Sequence, residues 1–515
     1  MKKNYKLSTS NKWWIFSIFI SLMLTDRIIN LINFGFVYTD IDQVILWNGA
    51  VDYSKGIFHE PFFYGQPFNF MLESIIAIPL LWINIPVHIA LPISTSLISL
   101  IPFIFLSLFL LKREYYFWAF LCLAFPVLLP IEYNFLTTIS RGNVQAHFII
   151  PFIFIPLFNP ESKKNVIVLY LTSAICFILN PSSLIITLPI SIFIFTYHLK
   201  SISFYLKSLI VIPIYFINYL AQDFYKNHPE NILHELVGLS IDSQVFISSF
   251  KNLNLFEYLF PFCSQWGILY PFLFLLLAIY VLNKSMKKEF VLILTFLILL
   301  LVTLAIPKVQ EFIPNTGFFF TSSRLYLFVP ILFIITLFLI FKNVTINKFS
   351  IYMLLVVCGA TLIVKNSSIS KTVQTTISKT IFPIDKNQDI IKRTSELKKI
   401  ALKYNIDLIV HTTFSTWDYR FDSYCYNPII QDYNFKKEKT ISVCIDDDRR
   451  SWLFQNSANC KQILLNGIIV DESKLKLYDY VIINKKLNQI IIKNNQLNVT
   501  ELFSKLDLKF GNTAL

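Results

Sequence analysis

Residues 13–36 read WWIFSIFISLMLTDRIINLINFGF, and this stretch decides the class of fold. An α-helix needs about 20 apolar residues to cross a bilayer, and the run is long enough to do so. No small-residue cleavage site closes it, so we interpret it as a retained first span with a cytoplasmic N-terminus rather than a signal peptide. Asp26 and Arg27 interrupt the run and are expected to pair with neighbouring groups or to lie near the outer interface. Before the run stand the basic residues Lys2, Lys3, Lys6 and Lys12.

The composition of the whole chain indicates an integral membrane protein. Of its 515 residues, 55% are hydrophobic and 15% are charged, whereas soluble domains carry about 25% charged residues. The formal net charge of +13 arises from Lys and Arg that fall largely in short clusters between apolar runs, as topogenic loop charges do. Few aromatic residues interleave with these clusters, so nucleic-acid binding is disfavoured.

The apolar runs predict about eleven transmembrane helices. We place them at residues 13–36, 86–111, 115–133, 143–158, 165–180, 182–199, 204–221, 269–283, 289–307, 324–341 and 349–365. Short loops that carry Lys and Arg are cytoplasmic in membrane proteins, and here such loops alternate consistently with the remaining ones. The segments predicted on the outer side are therefore 37–85, 132–142, 222–268, 308–323 and the tail from 366.

The tail, residues 366–515, differs in kind from the apolar part and predicts a small extracytoplasmic α/β domain. ELKKIALKYN (396–405) has the pattern of an amphipathic helix, and IDLIVHTT (406–413) has that of a buried strand. KLYDYVIINK (476–485) and NQIIIKN (488–494) predict further strands. No Gly-rich phosphate loop or dinucleotide motif is present, so a nucleotide-driven enzyme is disfavoured.

Cysteines and acidic runs give no metal motif. Three of the seven cysteines, Cys425, Cys444 and Cys460, lie in the tail, where two of them could form a disulfide in an oxidising compartment. The run DDDRR at residues 446–450 is interpreted as a solvated turn rather than a metal site.

The stretch VYTDIDQVILWNGAVDYSKG, residues 37–56, follows the first span directly. Its apolar positions share one helical face, which predicts an amphipathic helix on the membrane surface that stops at Gly56. Two roles are open for the acidic residues at its start. Thr39 or Asp40 would cap the helix, with Gln43 placed as in a capping box. Alternatively, Asp40 or Asp42 is a base that removes a proton from a hydroxyl or an amine.

The next stretch, HEPFFYGQPFNFMLESIIAIPLLW at residues 59–82, makes the pattern more specific. An acidic motif after the first span, then Tyr64-Gly65-Gln66, then Leu72-Glu73 resembles the first outer loop of membrane glycosyltransferases of the GT-C superfamily. The resemblance is to the bacterial protein O-mannosyltransferase and aminoarabinose-transferase families. Those enzymes often have aspartate-glutamate in the acidic motif, whereas Gln43 follows Asp42 here, so the base is either Asp42, which is favoured, or Asp40.

Two later segments extend the resemblance. The second outer loop, IEYNFLTTISRGNVQAHF (131–148), offers Glu132, Arg141 and His147 as substrate-binding candidates. In FFFTSSRLYLFVPILF (318–333), Arg324 resembles the arginine that begins a late span in the same superfamily. An arginine suits a phosphate because its guanidinium presents a planar fork of donors.

The resemblance implies a reaction and its participants. The donor is a sugar carried on a polyprenyl phosphate, and the acceptor is an extracytoplasmic lipid, glycan or protein. Arg141 and Arg324 would hold the leaving phosphate, while Gln66 and Glu73 would orient sugar hydroxyls. Dependence on a divalent metal is open, and the implied location is the bacterial inner (plasma) membrane.

Two other classes of function stay open. A transporter or flippase for a lipid or a polyol predicts an internal repeat and polar residues deep within the spans. A non-catalytic envelope scaffold predicts that the outer carboxylates can be lost without consequence.

Overall fold

The computed structural model describes most of the chain at the level of individual residues. The described residues are 9–62, 70–228, 231, 240–251, 256, 258–262, 266–307, 325–344, 346–379, 384–412, 417–429, 440–445, 460–494 and 497–508. Tyr64, Gln66 and Arg324 lie outside this set, as does the run 446–450.

Helices dominate the chain up to residue 378. They are α1 (Thr9–Asn30), α2 (Ile41–Ser54), α3 (Leu72–Trp82), α4 (Val87–Lys112), α5 (Tyr116–Leu128), α6 (Ile131–Leu136), α7 (Phe154–Phe158), α8 (Asn165–Leu179), α9 (Leu184–Phe195), α10 (Ile202–Lys207), α11 (Val211–Asn227), α12 (Ser243–Lys251), α13 (Leu269–Asn283), α14 (Lys287–Leu304), α15 (Val329–Phe341) and α16 (Lys348–Ser378). A π-helical turn, Leu31–Gly35, continues α1, and short 3₁₀ turns occupy Gln145–Phe148, Ile150–Ile153, Pro181–Ser183 and Ser208–Ile210.

Among the described residues, the strands lie at the start of the first polar loop and in the tail. They are β1 (Tyr38–Asp40), β2 (Ile384–Lys386), β3 (Leu408–His411), β4 (Ile441–Cys444), β5 (Gln462–Asn466), β6 (Asp479–Asn484) and β7 (Gln489–Lys493). The helices of the tail are α17 (Asn387–Tyr404), α18 (Trp417–Ile429), α19 (Glu472–Leu475) and α20 (Val499–Lys505).

The chain divides into two compact units. Unit 1 comprises Met1–Gly35, Thr95–Asn218 and Leu236–Phe382, and unit 2 comprises Phe36–Ser94, Tyr219–Glu235 and Pro383–Leu515. This grouping differs from the expected division into residues 1–365 and 366–515, because the first polar loop belongs with the tail.

Long apolar helices associate the protein with a membrane. Within the described residues, four segments are long and apolar enough to cross one: Ser10–Gly35, Val87–Lys112, Ile202–Asn227 and Lys348–Ser378. On α16 the large apolar side chains of Tyr352, Val356 and Ile363 are exposed, as expected for a surface that faces lipid. Helical structure occurs at all eleven predicted positions, but several of these helices are shorter than a bilayer requires. Eleven crossings therefore stay a prediction.

The helix at the last predicted span is longer than that span. The apolar run predicted a span at 349–365, whereas α16 continues to Ser378, thirteen residues further. Polar residues after Val364 end the apolar pattern without ending the helix, because Ser, Thr and Lys tolerate helical backbone in the absence of Gly or Pro. Unit 2 resumes at Pro383, after the end of α16.

Unit 2 contains a five-stranded sheet with the order β4-β3-β5-β7-β6. β3 is parallel to β4 and β5, while β7 is antiparallel to β5 and β6. The predicted helix at 396–405 and the strands at 406–413, 476–485 and 488–494 are confirmed as parts of α17, β3, β6 and β7. β4 and β5 are additional strands that the sequence analysis did not identify.

The first polar loop shares a hydrophobic core with this sheet. β1 pairs antiparallel with β2, and α2 packs on both α3 and α18. Val44, Leu46 and Trp47 are fully buried in one cluster with residues of α17 and the strands. α2 thus differs from the expected surface helix, because its apolar face packs against protein.

Candidate functional site

Asp40 caps α2, as the sequence predicted. Its Oδ1 accepts a hydrogen bond from the Gln43 backbone N–H at 3.0 Å, and its backbone is extended. The Gln43 side chain donates to Thr39 Oγ1 at 2.9 Å, which fixes the turn before the helix. Asp40 is buried, so its carboxylate is committed to holding the start of α2.

Asp42 has a different environment although it lies only two residues away. It occupies the first turn of α2 and is half-buried. The positive end of the helix favours the ionised form of a carboxylate in this turn. Of the two candidate bases, Asp42 is therefore the more accessible to a substrate.

Glu73 is positioned by close packing between α2 and α3. It lies in the first turn of α3 and is fully buried, and the next residue, Ser74, donates to the Leu46 carbonyl at 3.0 Å. At Gly49 a Cβ atom would stand 2.3 Å from Met71 Sδ, so a larger residue would require the Met71 side chain to shift. Unit 2 thus contains Asp40, Asp42 and Glu73 on two helices that pack together.

A carboxylate–imidazole pair at the other end of α2 was not predicted. His59 and Asp52 Oδ2 are 2.9 Å apart, and both side chains are largely buried. α2 ends at Ser54 and Gly56 has a φ of +71°, a left-handed conformation that suits glycine and reverses the chain. The sequence signal that could have revealed this pair is the spacing of Asp52 and His59 around Gly56, where the helix was predicted to stop.

One further carboxylate, Glu60, follows His59 in the chain. Tyr225 donates to Glu60 Oε2 at 2.9 Å, and its ring stacks on Phe62. Burial raises the pKa of the Tyr53 phenol, and the nearby carboxylates Glu60 and Asp52 raise it further. This side of unit 2 is therefore an acidic environment that keeps the phenol protonated.

The remaining described candidates lie in unit 1, in the segment from residue 131 to residue 148. Arg141 is buried in a loop in which Gly142 has a φ of +77°. Asn180 Nδ2 donates to the Asn143 carbonyl at 2.8 Å, so the polar end of α8 holds this loop. The predicted boundary between the apolar runs 165–180 and 182–199 coincides with the end of α8 at Leu179, and Pro181 begins the 3₁₀ turn that follows.

His147 is enclosed by apolar residues. Its ring stacks on Phe328 with centroids 4.3 Å apart, and its two nitrogens have no hydrogen-bond partner in the described part of the chain. Glu132 is half-buried at the start of α6. Glu132, Arg141 and His147 therefore all lie in the segment from residue 131 to residue 148, which belongs to unit 1.

Charged residues of α1 and α16 form a buried network in unit 1. Lys365 Nζ lies 3.0 Å from Asp26 Oδ1, and Asn134 donates to Asp26 Oδ2 at 2.7 Å. Arg27 donates to Thr137, while its Nε and Nη2 atoms have no partner among the described residues. Asp26 thus pairs with Lys365, which is distant in sequence but adjacent in the fold. Pairing with a neighbouring group was one of the two placements expected from the sequence.

The donor set gives no support for a resident metal. Across the described ranges there is no group of three or more His, Cys, Asp and Glu side chains that could hold an ion. Cys425, Cys444 and Cys460 are buried, and the structure shows no disulfide among these three residues.

Comparisons with known proteins identify no family for this chain, so inferences about its function depend mainly on the geometry. No family model, no curated protein and no solved structure matches this chain.

Proposed function

We propose that this protein is a membrane glycosyltransferase that moves a sugar from a polyprenyl-phosphate donor to an extracytoplasmic lipid, glycan or protein. The observation that carries the proposal is the division of roles at the start of α2. Asp40 is buried as the helix cap, while Asp42 is half-buried in the first turn. A base must be ionised and within reach of the acceptor, and the half-buried position of Asp42 at the positive end of α2 supports that role.

The proposed step is a displacement at the anomeric carbon of the donor. The acceptor oxygen or nitrogen forms a bond to that carbon as Asp42 accepts its proton. The bond from the carbon to the phosphate oxygen breaks, and the polyprenyl phosphate leaves with the electron pair. The resemblance gives the stabilisation of the developing phosphate charge to Arg141 and Arg324. Gln66 and Glu73 would orient the sugar.

The direct test is a transfer assay with the purified protein. Radiolabelled sugars on polyprenyl phosphate are supplied with membrane lipids and envelope glycans as acceptors, and labelled acceptor and free polyprenyl phosphate are measured. We expect both products to appear together. For the variant Asp42→Asn, the matched control is Asp389→Asn. Asp389 is an exposed carboxylate in the first turn of α17. Absence of cleavage with every donor would contradict a transferase.

The buried ion pair favours a lipid or polyol transporter as the second candidate. Ionised side chains inside membrane spans often mark substrate or ion pathways, and Asp26 and Lys365 lie in two of the candidate spans. A transporter would move labelled lipid across proteoliposomes and release no polyprenyl phosphate. A scaffold would do neither.

We propose the bacterial plasma membrane as the location, with a cytoplasmic N-terminus and with unit 2 outside. The alternation of basic loops supports this orientation.

A further inference from the structure

The five-stranded sheet of unit 2 has two edges that differ in how the chain covers them. β4 forms one edge, and all four of its residues, Ile441–Cys444, are buried. Among the described strands β6 forms the other edge, and there Val481 and Ile482 are 43% and 47% exposed. The sheet therefore has one covered edge and one edge that is open to a partner.

The backbone of β6 pairs with β7 along one side. The pairing is antiparallel and runs from Asp479 opposite Lys493 to Asn484 opposite Gln489. No other strand of the described residues pairs with β6. A strand at the edge of a sheet presents a row of N–H and C=O groups, with which another extended strand can pair. An irregularity in register between Ile482 and Asn484 makes the regular part of this edge short. The partner that fits the edge is therefore a short β-strand.

The charges at the two ends of β6 indicate which strand fits. Asp479 begins the strand, and Lys485 and Lys486 follow its last residue, Asn484. When two such strands run antiparallel, the acidic end of each one lies beside the basic end of the other. In a parallel arrangement like charges would lie beside each other, which destabilises a strand pair. The edge is therefore complementary to a second copy of itself that runs in the opposite direction.

The middle of β6 is apolar. Val481 and Ile482 lie opposite Ile491 and Ile490 of β7, which are buried with 2% and 8% of their surface exposed. The apolar part of the sheet thus continues onto β6 and reaches solvent there. In an antiparallel pair of two such strands, the exposed apolar residues of both copies lie side by side at the centre. Their removal from water favours the contact.

We propose that β6 pairs antiparallel with β6 of a second copy of this chain, about a two-fold axis near Ile482, so that the two five-stranded sheets form one continuous sheet. A two-fold axis lets the same residues serve on both copies. A strand edge is smaller than a standard interface, so the dimer is reversible and is favoured by the confinement of both copies to one membrane. The inference goes beyond the proposed transfer reaction and stands without it, because it concerns association alone.

The test is cross-linking of cysteine variants of the full-length protein, in membranes of the cells that express it, with a short bismaleimide. An antiparallel pair centred on Ile482 places the two Ile482 residues opposite each other, with Cβ atoms about 4.5–5.5 Å apart. The two Asp479 residues are then about six positions apart along the strands, or about 20 Å. We expect a covalent dimer from Ile482→Cys and none from Asp479→Cys alone. When Asp479→Cys and Lys485→Cys are expressed together on copies with different tags, we expect the mixed dimer.

The control for random collision is Leu402→Cys, because Leu402 is an exposed apolar residue of α17 in the same unit. The unaltered protein gives the background from its own cysteines. Equal yields of dimer from Leu402→Cys and Ile482→Cys would overturn the proposal. So would dimers from Asp479→Cys alone, which indicate parallel pairing, or no dimer from Ile482→Cys. An edge that lies on the membrane surface gives that last result, together with quenching of a fluorophore at Ile482→Cys by spin-labelled lipid.

A charge reversal tests the ends of the paired strands. Within its own chain Asp479 Oδ2 lies 2.6 Å from Lys493 Nζ, but both side chains are exposed, so this pair contributes little to stability. In the Ile482→Cys protein, Asp479→Lys should lower the yield of dimer by about tenfold, because opposite charges across the axis become like charges. Adding Lys485→Asp should restore the yield, and Glu501→Lys, an exposed site on α20, should leave it unchanged. No restoration by Lys485→Asp would contradict the pairing with a second copy. If a charge variant fails to fold, the yield from Ile482→Cys alone still decides.

Discussion

Two carboxylates at the start of α2 show how position alone separates the roles of identical side chains. Asp40 precedes the helix with an extended backbone, which directs its Oδ1 to the Gln43 N–H. Asp42 already has helical backbone, so it cannot reach that donor in the same way. The sequence predicted both the cap and a choice of base, and the structure assigns the cap.

The capping role predicts different effects for two substitutions at Asp40. Asp40→Ala should lower the free energy of unfolding by about 0.5–2 kcal/mol, because the Gln43 N–H loses its acceptor in a buried site. Asp40→Asn should cost far less, since Asn caps about as well as Asp. Unfolding in mixed micelles measures both values. Equal losses for the two variants would show that charge rather than capping matters at this position.

The pairing of Asp26 with Lys365 predicts a large effect of removing either charge. Lys365→Met should destabilise unit 1 by about 3–5 kcal/mol, because Asp26 would stay buried without its ammonium partner. The double variant Asp26→Leu with Lys365→Met should recover much of this loss. Lys371→Met is the control, since Lys371 is exposed on the same helix. No recovery in the double variant would contradict a mainly electrostatic pairing.

Among the helices, α2 is buried because other parts of unit 2 pack on two of its sides. Asn48 Nδ2 donates to the Tyr424 carbonyl at 2.9 Å, so the first polar loop contacts α18 across 376 positions of sequence. On the other side Gly49 allows Met71 to approach the helix backbone. Both contacts explain why α2 is buried although its sequence has an amphipathic pattern.

Gly49 therefore predicts a measurable packing effect. Gly49→Ala should destabilise unit 2 by about 1–3 kcal/mol, because the new methyl group overlaps Met71 Sδ. Adding Met71→Ala should remove most of the overlap. Gly359→Ala in α16 is the matched control, since a Cβ there meets nothing within 4 Å and Ala favours helix. If both single variants have the same melting temperature as the unaltered protein, the close approach is not significant.

The elements that the sequence predicted are those with a local signal. Apolar runs gave helical structure at every predicted position, and Gly56 marked the end of α2. β4 and β5 were missed although β3 and β7, which have the same lengths of four and five residues, were predicted, so length alone does not explain the difference. Lys365 was taken as the end of a span because its partner Asp26 is 339 residues away, which no local pattern reveals.

For the whole molecule, the grouping of segments into units constrains topology. Residues of the first polar loop and of the tail share one core in unit 2, so they must lie on the same side of the membrane. The basic loop between α13 and α14 is predicted on the opposite side, because short basic loops stay in the cytoplasm.

This constraint predicts the labelling of three single-cysteine variants at exposed positions. A membrane-impermeant maleimide should label Phe58→Cys and Lys476→Cys on intact cells, while Lys284→Cys should react only after permeabilisation. The unaltered protein supplies the background. Labelling of only one of the first two positions would contradict the shared core, and labelling of Lys284→Cys on intact cells would reverse the proposed orientation.

The measurement that tests the central proposal most directly is the transfer rate of Asp42→Asn beside that of Asp40→Asn and the unaltered protein. Asn keeps the shape of the side chain and cannot accept the proton, and loss of a general base lowers rates by about 100- to 10,000-fold. We expect Asp42→Asn to fold and insert normally and to lose activity by that factor, while Asp40→Asn retains much of it because Asn preserves the cap. Transfer at the unaltered rate by both variants and by the double variant would contradict the mechanism and leave these aspartates as structural residues of α2.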